Sequence, residues 1–447
     1  MDIRIELNHT HYDDEGGWRS TDGVIYTINK DGITACANGN KDITESNIVV
    51  ANEVAIDGKV YPVTQVRGFY FSEILKSLYL PTNIKVIGGQ ICEECHLECL
   101  TIQGGSIEEI GAYAFYHAKI KKLILKGYRG EHFLEYNSVT IDSLYCDSLE
   151  SLLSINGKAA AKNIYINGVL VEELVIPEGV TEIPVSFLCG CESIKTVVLP
   201  STIKTINGHA FESCKNLSSI NLPEGLEKIG YAAFIRCSSL NNVELPKSIS
   251  EISDLAFADT NIENVVIPEG AKITHSAFYH CTNLKSVQLP EGLAIIPRDA
   301  FEGCSSLISI NIPSTVKRIE ACAFFGCKMT EVHLPDSLEY IGDEAFAFLP
   351  ITEITIPSTV VEIGKWVFEG CEKLCKVYSK IEDPSKCNIK VLERSSKERY
   401  ESRWHAVGLE LFYKQATLVV PNVKGIVSAY KKKAAWKKFS AIEMGDK

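Results

Sequence analysis

The chain has 447 residues, 45% of them apolar and 23% charged, with a formal net charge of −12. That length exceeds what one compact hydrophobic core organises, and the acidic balance excludes a surface built to neutralise nucleic-acid phosphates. No apolar run is as long as a membrane span, so membrane insertion is not expected either.

The start, from Met1 to Asn8, lacks the basic-then-apolar order of a signal peptide, and no lipobox-like Cys follows it. His9, His11 and Asp13, if extended, would share one face of a strand and could hold a divalent ion. A polar end or the start of a strand accounts for the same residues, and no metal or other cofactor is expected. From Gly23 the runs 24–28 and 33–37 alternate around Asp31-Gly32, a strong hairpin signal. The runs 48–50, 54–56 and 60–63 continue the pattern, and residues 1–70 are read as a β-meander that caps the first coil.

Residues 71–125 hold the first repeats. Leu80-Pro81 opens one, with Ile84, Ile87, Leu97, Leu100 and Ile102 at recurring spacings, and a second runs through Ala114-Phe115 to Leu125. Cys92 and Cys95 have the spacing of a redox or zinc motif, but both fall on repeat positions and no second pair follows, so packing explains them. Over 126–175 the register breaks. Residues 128–136 are polar, 142–155 read as a short helix or two degenerate strands, and Asn167-Gly168 marks a hairpin. These are expected to be coils with altered outer walls.

Residues 176–380 repeat one spelling. Pro177, Pro200, Pro223, Pro246, Pro268, Pro290, Pro313, Pro335 and Pro357 stand 22 or 23 residues apart, a period that means a solenoid. Within 200–222, Leu217, Ile220 and Leu222 follow the strand spacing of a leucine-rich repeat, and the next Pro ends the strand. Pro-Glu-Gly then suits a tight turn with Pro second and Gly fourth. One coil cannot bury its own faces, so equivalent residues must stack. The expected aromatic ladder is Phe211, Phe234, Phe257, Phe278, Phe301, Phe324, Phe346 and Phe368, with Leu188 in the first coil. Three residues later stand Cys191, Cys214, Cys237, Cys281, Cys304, Cys327 and Cys371, replaced by Thr260 and Leu349. Leu at that place suggests a site that wants a small or medium apolar side chain and not a thiol. Seven of the sixteen cysteines fall on this one position, where parallel Cβ vectors fit a disulfide poorly.

Residues 381–447 are read as a C-terminal cap. Asp383-Pro384 suggests a turn, 395–405 is charged with scattered aromatics, and 417–421 is a last strand. Residues 427–442 read as an amphipathic helix, with Tyr430, Trp436, Phe439 and Ile442 opposite Lys431, Lys432, Lys433, Lys437 and Lys438. A basic amphipathic helix can lie on a membrane, but capping the last coil also explains its aromatic residues.

The pattern [LI]-P-x-x-[VIL]-x-x-I-x-x-x-A-F-x-x-C-x-x-L-x-x-[IV]-x-[LI], over about 80–125 and 176–377, resembles the BspA-type, or treponemal-type, leucine-rich repeat of bacterial surface and secreted proteins. The resemblance implies a right-handed, β-rich superhelix with a parallel sheet on one face, an N-terminal β-cap and a C-terminal strand-plus-helix cap. It also implies a binding and adhesion module at the cell surface or outside the cell, with no catalytic residues to carry over.

The residues themselves agree. Nucleophile, zinc-protease, P-loop and dinucleotide motifs are missing, and acids such as Glu178, Glu224, Glu269 and Glu291 recur at turns. A solenoid binds through outward positions of its repeats. On the strand wall these are Ser219, Asn221, Asn242, Glu244, Asn264, Ser286, Gln288, Ser309, Asn311, Glu331, His333, Glu353 and Thr355. They suit a protein or glycan partner from a host or bacterial surface, met by a monomer. The alternatives are an architectural spacer that binds through its caps or irregular segment, and a hydrolase site inside an irregular segment.

Overall fold

In the computed structural model, residues 3–12, 16–39, 43, 45–69, 74–103, 107–127, 139–153, 155, 160–389, 415–433 and 436–445 are described. The expectations for Asp13, for 128–136 and for 395–405 fall outside them. The chain divides into two units. One is Met1–Leu174 with Ile183–Val197 and Gly208–Asn216; the other is Val175–Glu182 and Val198–Asn207 with Leu217–Lys447.

The first unit begins with strands β1 (Arg4–Leu7), β2 (Trp18–Arg19), β3 (Ile25–Ile28), β4 (Ala35–Asn38), β5 (Asn47–Val49), β6 (Glu53–Ile56) and β7 (Lys59–Arg67). The expected hairpin is present, since β3 and β4 pair antiparallel across Asp31-Gly32. A simple meander is not: β1 pairs parallel with β6, and β4 parallel with β7. His9 and His11 lie in a 3₁₀ turn capped by Asn8, so they do not alternate along a strand.

Strand β5 joins β8 (Ser77–Leu80), which lies beside β10 (His96–Gln103). With β9 (Val86–Ile87) and β11 (Glu109–Ile110) on a second wall, the parallel series continues through β12 (Lys119–Lys126), β13 (Thr140–Cys146) and β14 (Ala160–Ile166). Coil stacking therefore begins inside the expected cap, at Ile48, which is in register with Leu78. The described residues between 142 and 155 include the end of β13 and a short helix, α1 (Leu149–Leu153). Asn167 and Gly168, both at positive φ, turn β14 back into β15 (Val169–Leu170).

The second unit shows why a 22- or 23-residue spelling folds as a coil. On the strand wall, Asn264–Val266 pairs parallel with Ser286–Gln288, and Glu353–Ile356 with Lys376–Ser379. Pro then ends the wall, and its carbonyl accepts from the residue three later, as Pro223 does from Leu226 N–H at 3.1 Å. Pro is thus first in the turn, one place earlier than expected. Gly225 is third at φ +106°, the position of a type II turn that needs positive φ. On a second wall the two-residue strands Thr205–Ile206, Lys228–Ile229, Glu251–Ile252 and Lys272–Ile273 run parallel in register.

The third wall carries the Phe. Two residues before Phe234 and two after it, Ala232 and Arg236 adopt left-handed φ of 52° and 61°. The same pair flanks every Phe from Phe234 to Phe368. A side-chain-bearing residue in this region costs about 1–2 kcal/mol. The return is backbone pairing: Ala232, Phe234 and Arg236 N–H donate to the carbonyls of Asp254, Ala256 and Ala258 in the next coil, at 2.8–2.9 Å.

Inside these walls the phenylalanines stack, with centroids 5.3–6.2 Å apart and planes within 12° from Phe234 to Phe368. All sixteen cysteines are free. The Cys position differs from a purely apolar site. The thiols of Cys281, Cys304, Cys327 and Cys371 donate to the carbonyls of Phe257, Phe278, Phe301 and Phe346 at 3.1–3.2 Å. Thr260 serves its own Phe257 carbonyl at 2.7 Å, so the site takes a small donor and tolerates Leu.

The C-terminal segment departs from the expected single helix. Among the described residues from 426 to 442, only Ile426–Lys431 is α-helical; Trp436–Lys438 is a 3₁₀ turn, and Ala441–Met444 is a strand. That strand extends the wall beside Thr417–Val420, so pairing with an open edge overrides the helical spacing that placed Ile442 on a helix. Tyr430 and Trp436 are buried, as capping requires.

Candidate functional site

The outward positions of the strand wall alternate with buried ones for a plain reason. In a strand successive side chains point to opposite faces, so Val265 and Val287 turn inward while Asn264, Val266, Ser286 and Gln288 turn out. Of the thirteen residues singled out in the sequence, all in the second unit, eleven are exposed and two, Glu353 and Thr355, are half-buried.

They are not equally free. Asn221 accepts from Leu199 N–H at 2.7 Å and donates to the Leu199 carbonyl at 2.9 Å, extending the ladder with its own amide. Its side chain is therefore committed to the fold. Ser286 Oγ donates to Asn264 Oδ1 at 2.6 Å, which leaves the Asn264 amide N–H groups unused by that bond. His333 Nε2 lies 3.7 Å from Glu331, both well exposed.

Around Asn242, Glu244, Asn264, Val266, Ser286 and Gln288 the wall sinks into a depression of about 450 Å³, with Val243, Leu245, Val265 and Val287 completing its lining. The sequence gives the outward rows; the hollow depends on how neighbouring coils are spaced.

A second cluster escaped the sequence reading. On the Phe wall, Asp299, Glu302 and Cys322 bring ligand-type atoms within 4.8 Å of one another, all half-buried. Burial, with Asp299 and Glu344 nearby, pushes the Glu302 carboxyl up to about 7. Burial and the same acids push the Cys322 thiol up to about 12. The signal was available: residues two before and one after each Phe meet, as His209 and Glu212 do at 2.6 Å.

The ladder thiols are poor nucleophiles. Burial pushes Cys281, Cys327 and Cys371 to about 12, and a thiol that stays protonated neither attacks nor ligates. At the earlier pair, the hydrogen bond to Cys95 and then burial hold Cys92 well above the ordinary thiol range. Cys95 itself donates to the Phe69 carbonyl at 3.3 Å. Among the described residues no helix is long and apolar enough to cross a membrane.

Comparison with known proteins agrees with this architecture. The BspA type leucine rich repeat region matches residues 59–152, 158–285 and 271–386, in six copies. A leucine-rich repeat protein from Bacteroides ovatus is similar at 24% identity and a TM-score of 0.50, over 62% of this chain and 71% of that one. A leucine rich cell surface protein from Faecalibacterium prausnitzii is 22% identical over 87% and 97% of the two chains, with a TM-score of 0.46. The pneumococcal vaccine antigen PcpA is 15% identical over 97% and 99%, also at 0.46. No curated protein matches the chain.

Proposed function

We propose that this chain, which belongs to the BspA-type leucine-rich repeat family, is a non-catalytic binding module that meets its partner through the strand wall of its second unit. One observation carries the reading. Eleven short polar or charged side chains stand exposed at repeat-equivalent positions of that wall, and a hollow opens among six outward residues at its centre. Core demands explain the inward residues; apart from Asn221, which is tied to Leu199, they leave the outward ones free to vary for recognition.

The test replaces Asn242, Glu244, Asn264 and Gln288 together by Ala and measures binding to immobilised extracellular-matrix proteins and oligosaccharides. Loss of binding by a variant that melts like the parent supports the reading. Undiminished binding assigns recognition to another part of the chain and leaves this wall a spacer.

A further inference from the structure

We propose that the hollow at Asn242, Asn264 and Gln288 is a subsite for a neutral, hydroxyl-rich ligand, a short oligosaccharide of uncharged sugars. The inference rests on the strand-wall reading above and names the chemistry of its ligand.

Charge comes first. Among 447 residues 23% are charged, yet of the ten residues lining the hollow only Glu244 is. An anionic ligand meets no cation there, and a cationic one meets a single exposed carboxylate in water, which holds little by itself. A neutral ligand is the one this lining complements.

The polar groups narrow the class further. Asn242, Asn264, Ser286 and Gln288 each offer both donors and acceptors, as vicinal sugar hydroxyls do. The Ser286 to Asn264 bond fixes those two side chains at 2.6 Å, which lowers the ordering cost of binding. Between them Val266, 57% exposed, offers an aliphatic surface for sugar C–H groups. A space of about 450 Å³ falls in the small-ligand range. A protein hot spot would instead call for an aromatic or Arg anchor, and the lining holds neither. A peptide added as a strand needs an open edge, whereas coils flank Asn264–Val266 on both sides: Glu263 N–H donates to the Asn241 carbonyl at 3.1 Å and Ile267 N–H to the Gln288 carbonyl at 2.9 Å.

The full chain is titrated calorimetrically with neutral trisaccharides of glucose, mannose, galactose and N-acetylglucosamine, and with a uronic-acid trisaccharide. At least one neutral probe is expected to bind and the uronic-acid probe not to. The Asn242→Ala, Asn264→Ala, Gln288→Ala triple variant should lose at least tenfold in affinity, and Glu224→Ala, exposed in the Pro223–Leu226 turn away from that wall, none. Should the triple variant melt lower, the isosteric Asn264→Asp substitution carries the same test. No neutral binding at millimolar probe, stronger uronic-acid binding, or equal affinity in the triple variant overturns the inference. If the four-residue variant of the preceding section still abolishes binding to a deglycosylated matrix protein, the strand-wall reading survives that failure; if it does not, both fall.

Discussion

Replacing Phe301 by Ala tests the stacked core at its best-defined point. Phe301 is fully buried and lies between Phe278 and Phe324, each 5.8 Å away with planes 8° and 9° from its own. Emptying such a site costs about 3–5 kcal/mol. Phe301→Leu keeps most of the volume and forfeits the two ring stacks, each worth about 0.5–1.5 kcal/mol. Leu188, buried in the corresponding place, shows that the slot admits that side chain. Urea denaturation followed by circular dichroism gives the two losses, and native-state hydrogen exchange should place the opening in the coils beside residue 301, because each coil contacts only its neighbours. Unchanged stability of the Ala variant refutes the buried ladder; a Leu variant as damaged as the Ala variant refutes the division between volume and stacking.

Three further outcomes follow from other residues. Asn221→Ala should lose about 1–2 kcal/mol, since it strands both Leu199 backbone groups, whereas Asn242→Ala should stay within about 0.5 kcal/mol in the same melting assay. Gly303→Ala should destabilise more than Gly168→Ala: both positions have positive φ, but a Cβ at 303 runs into the His280 ring and one at 168 meets nothing within 4 Å. For Glu302, whose carboxyl is raised from 4.5 to about 7, the folded state holds the proton more tightly. Its contribution is present below about pH 4.5 and is lost as pH rises through about 7, so Glu302→Gln should be more stable than the parent at pH 8 and flatten that decline in a pH series of denaturation curves.

Repetition made the core legible. Phe and Cys recur often enough that single departures such as Leu188, Thr260 and Leu349 do not hide the ladder, and period-two alternation assigns Asn264 and Ser286 to the outside. Local conformation was less legible. The left-handed sites around each Phe hold Ala232, Leu255, Ser276, Asp299, Cys322, Glu344 and Trp366 on one side, types that share no turn preference; inter-coil hydrogen bonds impose the conformation. The thiol's donor role was hidden because Leu349 shares its position. At the candidate site the outward rows were visible, but the commitment of Asn221 to Leu199 depends on contact with a residue 22 positions away. The helix expected over 427–442 failed for a related reason, because Ala441–Met444 answers to its neighbour Thr417–Val420 and not to its own spacing.

The left-handed corners also give the array a polarity. From Ala232, Phe234 and Arg236 the N–H groups point toward the following coil and find carbonyls there, and Glu344, Phe346 and Phe348 do the same with Lys365, Val367 and Glu369. A cut through this wall would leave carbonyls on one broken end and amide hydrogens on the other. The two stubs would be chemically unlike: one would call for donors, the other for acceptors or an anion. A capping segment grafted from one end to the other would therefore meet the wrong row of groups, and designed shortening of the array should remove whole coils from its interior.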